Sequence, residues 1–207
     1  MRSIWAQTCE IPPRAPLPGD LETEIAVVGA GMAGVLISAA LQEAGHQVVI
    51  LEAERIGSGQ TGGTTAKITS HHGLCYAALV RSMSLPAAKL YAQSNEAAIQ
   101  GYRRIILERS IDCGLETCSS YVCGAPGTDP EPLMEEARAA AALGLPAAFT
   151  ADVPLPFPTA GAVRFEAQAQ FHPLQFLKAM SDELTVFEHT RVQAVEDHAL
   201  FTGHGTV

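Results

Sequence analysis

Three short apolar runs, separated by polar or glycine-rich stretches, frame the chain. Residues 24–28 (EIAVV) form a continuous apolar run after the first residue, as in a strand buried on both faces of a parallel sheet. GAGMAG follows and leads into VLISAALQEAG, apolar nearly all round, which predicts a buried helix stopped by Gly45. QVVIL (47–51) predicts a second buried strand ending at Glu52, which completes a βαβ unit. LTVFEHTRV predicts a third buried strand near 185–189.

The remaining pattern is more varied. RIGSGQTGGTTAKITS is too polar and flexible for a core element. Polar and apolar residues alternate at helical spacing over 85–109 and again over 131–143, where acids in the first turn and Gly144 mark the ends. The stretch 112–124 predicts a strand entering a different sheet. A proline-rich loop (152–161) precedes a strand at 162–167, a helix over 173–183 and the start of a β-meander from Val192. Pro12, Pro13, Pro16 and Pro18 predict an extended lead over residues 1–20. The expected architecture is α/β. One domain, built on the βαβ unit, is expected over 21–111 and 173–207, with an α+β part, 112–172, inserted.

Composition narrows the function classes. The chain has 207 residues, 47% hydrophobic and 17% charged, and a formal net charge of −9. No Lys/Arg-rich stripe offers counterion release to a phosphate backbone, so nucleic acid is not an expected partner. No apolar run is long enough to predict a membrane span. Five cysteines at irregular spacing suit reduced thiols in the cytoplasm better than a disulfide framework.

The turn after the first strand carries chemistry. Gly29-Ala30-Gly31-Met32-Ala33-Gly34 is a G-x-G-x-x-G motif, preceded by a strand and followed by a helix. Glu52 ends the next strand 18 residues after Gly34, near the ~20 such sites use. Gly29 permits the tight turn, Gly31 lets the pyrophosphate approach the helix N-terminus, and Gly34 lets the helix pack close. The Glu52 carboxylate can accept ribose hydroxyls. The motif alone does not separate FAD from NAD.

The segment ERIGSGQTGGTTAKITSHHGL resembles the second flavin-contacting segment of FAD-dependent oxidoreductases of the D-amino-acid oxidase/glycine oxidase superfamily. IDCGLE, EEARAAAALGLP, PLPFP, QAQFHPLQFLKAM and FEHTRVQAVE extend the likeness, in order, toward a bacterial branch whose full-length members carry a C-terminal Rieske domain. The resemblance implies FAD as cofactor, with 21–111 and 173–207 a Rossmann-like dinucleotide-binding domain and 112–172 part of an α+β substrate domain inserted in it. Gly29, Ala30, Gly31, Met32, Ala33 and Gly34 would surround the pyrophosphate, and Glu52 with Ala53 the adenosine ribose. Gln60 and Thr61 would lie along the pyrophosphate and ribityl. Thr64, Thr65, Ala66 and Lys67 would approach the isoalloxazine, and Val192 would hold the adenine edge through its backbone. Lys67 departs from the small or apolar residue of the oxidase relatives. It is either a cation beside the flavin N1/C2 carbonyl or a surface lysine near a loop.

Other residues invite assignment and receive none. Cys113, Cys118 and Cys123 are spaced by five, unlike metal or iron–sulfur motifs, and are expected to be small buried thiols. Cys-x-His pairs for a Rieske cluster are absent. His71 and His72 are expected to be structural, although an acid/base role for one stays open. His172 is expected to cap the helix that follows. No catalytic residue and no metal ligand is assigned.

The expected activity is hydride transfer from a small donor, such as an amine or amino acid, to flavin N5, with O₂ or an iron–sulfur domain as acceptor. Two alternatives stand beside it: a non-catalytic or degenerate flavin-binding fragment, and an NAD-binding reductase domain. The fourth strand expected beside EIAVV and most of the substrate-domain sheet are not encoded, so an N-terminal fragment with an exposed strand edge is expected. Substrate and oligomeric state are not assigned.

Overall fold

Ser3 caps a short helix, Ile4–Thr8 (α1), inside the segment that the prolines mark as extended. The computed structural model describes residues 3–207. A single turn forms here because the Ser3 hydroxyl accepts the Ala6 amide at 3.2 Å and the first proline lies beyond Cys9. The extended reading therefore holds only after Cys9.

The chain divides into two compact units. One comprises residues up to Ala66 with Ile111–Cys113 and His172–Val207; the other comprises Lys67–Ser110 and Gly114–Phe171. This partition differs from the expected one, because 67–110 belongs to the second unit. The reason is packing: Ala88 and Ala92 share a core with Leu133, Ala137 and Phe165.

In the first unit, Ile25–Val28 (β1) runs parallel to Val48–Leu51 (β2), with Ile25 opposite Val48. Met32–Glu43 (α2) connects them. Its end is closed by Gly45 at φ +95°, with the His46 amide donating back to the Leu41 carbonyl. Strand β2 is buried throughout, flanked by β1 and by the strand Thr185–Phe187 (β7). β1 is only half-buried and Val28 is 58% exposed, so the expectation of burial on both faces fails there. The outer edge of β1 pairs with no other described strand. The helix Pro173–Ser181 (α6) packs beside α2 and buries Leu174, Phe176, Leu177 and Met180. A hairpin of Val192–Glu196 (β8) and Ala199–Thr202 (β9) ends the unit.

The second unit is built on Ala162–Gln170 (β6), longer than the strand expected at 162–167. Lys67–Ile68 (β3), Glu116–Cys123 (β4) and Ala147–Thr150 (β5) all pair antiparallel with it. Tyr76–Ser82 (α3), Leu85–Glu108 (α4) and Glu131–Ala142 (α5) complete the unit. The buried Glu136 carboxylate of α5 accepts the Tyr76 and Ala77 amides at 2.7 and 2.8 Å, so an anion meets the positive end of α3. Where the register shifts between Cys118 and Ser120, β6 carries the extra residue and kinks at Ala167 (φ +56°). Arg103 donates to the carbonyls of Ala167 and Gln168 at 3.1 Å each, which holds the kink.

Of the three cysteines expected to be buried, only Cys113 is. Cys118 is partly covered and Cys123 is exposed, because β4 runs past a bulge and has no fully buried position. Cys9, Cys75, Cys118 and Cys123 are free thiols.

Candidate functional site

The glycine turn of the first unit has the geometry its sequence predicts. Gly29 sits at φ +97°, a conformation that excludes most side chains, and its amide continues the parallel ladder to the Leu51 carbonyl at 2.9 Å. A Cβ on Gly34 would lie 1.9 Å from the Gly29 carbonyl oxygen, so only glycine lets α2 start this close to β1. Gly31 caps α2 without a side chain. The first turn of any helix leaves amides without intrahelical partners, and these attract anions.

Two side chains converge on this turn. Glu52 accepts the Ala30 amide on one carboxylate oxygen at 2.7 Å and the Glu54 amide on the other at 2.8 Å. A carboxylate has about four lone-pair sites, so two remain for hydroxyl donors. Thr61 is buried in the 3-10 turn Gln60–Gly63, and its hydroxyl accepts the Met32 amide at 3.0 Å. It thus satisfies one amide of the α2 N-terminus from a distant loop.

That loop is more ordered than its polar composition suggests. Gly57 donates to the Ala30 carbonyl at 3.0 Å, and a Cβ on Gly62 would press on the Gly57 carbonyl at 2.7 Å. Thr61, Ala66, Ile68, Ser70 and His71 are all buried. The expectation of a flexible stretch outside the core is corrected: close backbone packing at glycines takes the place of large apolar side chains. Thr64 accepts the Trp5 indole N–H on its carbonyl at 2.8 Å, and Ala66 adopts φ +61°. Gln60 and Thr65 are exposed, and Ala53 is half-buried next to Glu52. Val192 begins β8 opposite Thr202. Lys67, exposed, opens β3 and belongs to the second unit.

The fold therefore gathers Gly29–Gly34, Glu52 and Thr61 around one helix N-terminus. A strand-ending acid beside a glycine turn, with a helix start behind it, fits the ribose and pyrophosphate of a dinucleotide. The residues present fit FAD on these grounds.

The histidines are placed as structural groups. His172 caps α6, its Nδ1 accepting the Gln175 amide at 3.2 Å, and its Nε2 lies 2.9 Å from the Thr8 hydroxyl. Partial burial lowers its pKa. His72 is exposed beside Asn95. His71 is fully buried, and burial, with Lys67 adding like charge, pushes its pKa down to about 4. Among the described residues, no group of three His, Cys, Asp or Glu side chains gathers to hold a metal. No described helix is long and apolar enough to cross a membrane.

Sequence reasoning missed Glu188. It is fully buried just after β7 and accepts the Arg14 amide at 2.9 Å and the Ile56 amide at 2.8 Å. A carboxylate inside an otherwise apolar strand pattern was the available signal.

Comparison with known proteins places the fold. The family model for FAD-dependent oxidoreductases, the DAO family, matches residues 24–207. The chain belongs to that family, and its cofactor is FAD. A Bacillus subtilis protein named as a Rieske 2Fe-2S iron–sulfur protein, YhfW, is 32% identical over 182 residues, 88% of this chain and 36% of the relative. Glycine oxidase from Geobacillus kaustophilus superposes with a TM-score of 0.70 at 23% identity, over 89% of this chain and 52% of that enzyme. L-proline dehydrogenase from P. horikoshii gives 0.70 at 18%, over 92% and 51%. The chain thus spans about a third of the curated relative and about half of these enzymes. The family match sets aside the NAD-binding alternative.

Proposed function

We propose that Gly29–Gly34, Glu52 and Thr61 hold the ADP portion of FAD, and that the protein oxidises a small amine or amino-acid donor. When bound, FAD supplies the hydride acceptor at its N5. The observation that carries this reading is the convergence of Glu52 and Thr61 on the glycine turn, at Ala30 and Met32.

The chain's residues divide the work. The α2 N-terminus and its glycines neutralise pyrophosphate charge with backbone amides. Glu52 orients the adenosine ribose, with Ala53 beside it, and Val192 offers backbone to the adenine. Gln60 lines the path toward the ribityl. Thr64, Thr65 and Ala66 would approach the ring when the cofactor is bound, and Lys67 would supply a cation that favours its reduced form. The donor class is supported by relatives named for glycine, proline and other amino-acid substrates. An iron–sulfur domain as electron acceptor is supported by the relative named for a Rieske centre, with O₂ the alternative. The free thiols of Cys9, Cys75, Cys118 and Cys123 fit a reducing, cytoplasmic setting.

In this reading the chain is the N-terminal part of such an oxidoreductase. The rest of the substrate pocket and a strand beside β1 come from polypeptide outside these 207 residues. The unpaired β1 edge supports this.

The absorbance spectrum of the purified protein, before and after incubation with FAD, tests the binding reading. Flavin bands that co-elute with protein are expected; a colourless protein that gains none favours a degenerate fragment. Hydrogen peroxide formed on addition of an amino-acid donor would assign O₂ as acceptor, and its absence with continued flavin reduction would favour an iron–sulfur partner.

A further inference from the structure

The N-terminal lead is fastened to the cofactor loop at both ends of a gap. At one end, the Trp5 indole donates to the Thr64 carbonyl at 2.8 Å. At the other, the buried Glu188 carboxylate accepts the Arg14 and Ile56 amides and forms an ion pair with the Arg55 guanidinium, whose Nε lies 2.8 Å away. Arg55 in turn donates to the Ile11 carbonyl at 2.7 Å. Leu17 is almost fully buried, and its amide reaches the Thr190 hydroxyl at 3.0 Å. Between these anchors lies a cleft of about 510 Å³, with Ala6, Cys9 and Glu10 on the lead side and Ser58, Gly59 and Gly63 on the loop side.

The loop held in this way bears on the glycine turn. Ile56, on Glu188, is adjacent to Gly57, which donates to the Ala30 carbonyl. Thr61, five residues on from Ile56, holds the Met32 amide. One buried carboxylate therefore lies two peptide units from the turn where the pyrophosphate is proposed to bind. Lead and loop both donate an amide to this one buried carboxylate, so they are held or released together.

We infer that residues 3–17 form a strap, with Glu188 as the positioning residue, that sets the 55–64 loop for FAD and is itself tightened when FAD binds. The inference rests on the FAD reading above. Coupling of this kind is reciprocal: if FAD binds better with the strap in place, the strap must hold better with FAD bound, by the same factor.

The test uses the full chain. FAD affinity is measured by quenching of flavin fluorescence for the wild type, Glu188→Gln and Glu136→Gln; the last weakens an equally buried carboxylate in the second unit. Glu188→Gln is expected to bind FAD about tenfold more weakly, about 1.4 kcal/mol, while Glu136→Gln loses stability but keeps its affinity within about twofold. Trypsin cleavage after Arg14, followed by mass spectrometry, is expected to slow when wild-type protein is saturated with FAD. If Glu188→Gln does not fold, Trp5→Phe, which removes the indole donor and keeps an aromatic ring beside His172, is expected to weaken FAD several-fold. A wild type that binds FAD, with equal affinity in the folded strap variants and no protection at Arg14, overturns the strap. A folded wild type that binds no FAD overturns the cofactor reading, and the strap inference with it.

Discussion

The imidazole of His71 stacks on the ring of Phe165, with centroids 4.0 Å apart and planes 17° from parallel. Its Nδ1 lies 3.3 Å from the Ser120 hydroxyl, and its Nε2 has no hydrogen-bond partner among the described residues. A neutral ring is comfortable here; a charged one is not.

The pKa of about 4 makes this a stability statement. The folded value lies below the ordinary histidine value of about 6.5, so the unfolded chain binds more protons between the two. Stability from neutral His71 is present above about pH 6.5 and is lost as pH falls toward 4, by up to about 3 kcal/mol. Urea midpoints from pH 7 to 4 should fall more steeply in the wild type than in His71→Phe. Equal slopes would show that His71 does not titrate in this window.

Gly34→Ala should cost about 3 kcal/mol, the upper end of overpacking penalties, because its Cβ would meet the Gly29 carbonyl at 1.9 Å. Thermal unfolding reads the loss, and FAD affinity should fall with it. An unchanged midpoint would mean that α2 can shift without disturbing the turn.

Thr61→Val keeps the volume and removes the acceptor for the Met32 amide. A loss of about 1 kcal/mol, or roughly 2–4 °C in midpoint for a chain of this size, is expected. Thr61→Ser should recover most of it. Failure of serine to rescue would assign the effect to packing of the methyl group.

Lys67→Met should make the midpoint potential of the bound flavin more negative, since a cation beside the ring favours the reduced, more negatively charged form. A potential that does not move, measured by dye-coupled reduction, would return Lys67 to the surface.

Much of the first unit is legible in the sequence because its rules are local. The run from Ile25 to Glu52 contains strand, turn, helix and strand in order, and each glycine has a steric task that its spacing announces. The site residues Glu52 and Thr61 differ in this respect. Glu52 follows from its position after β2. Thr61 was placed only by resemblance, and its bond to Met32 spans 29 residues that no periodicity links. The turn α1 and the two-residue β3 escape pattern reading because they are too short to show a period. Strand β5 was hidden by alanines that suit helix or strand alike, Ala147 and Ala148. Glu188 escapes for another reason. Its partners Arg14 and Ile56 lie 174 and 132 residues away, and only the folded sheet brings them to it.

That separation orders events during synthesis. The lead leaves the ribosome before the carboxylate that fastens it, which comes 174 residues after Arg14. At about 5–20 residues per second this is a delay of roughly 10–35 s. Through that interval the glycine turn, the loop and the lead all exist without the group that ties them. On the strap inferred above, the turn is set for its cofactor only after a single acidic residue at the end of the third parallel strand has been made.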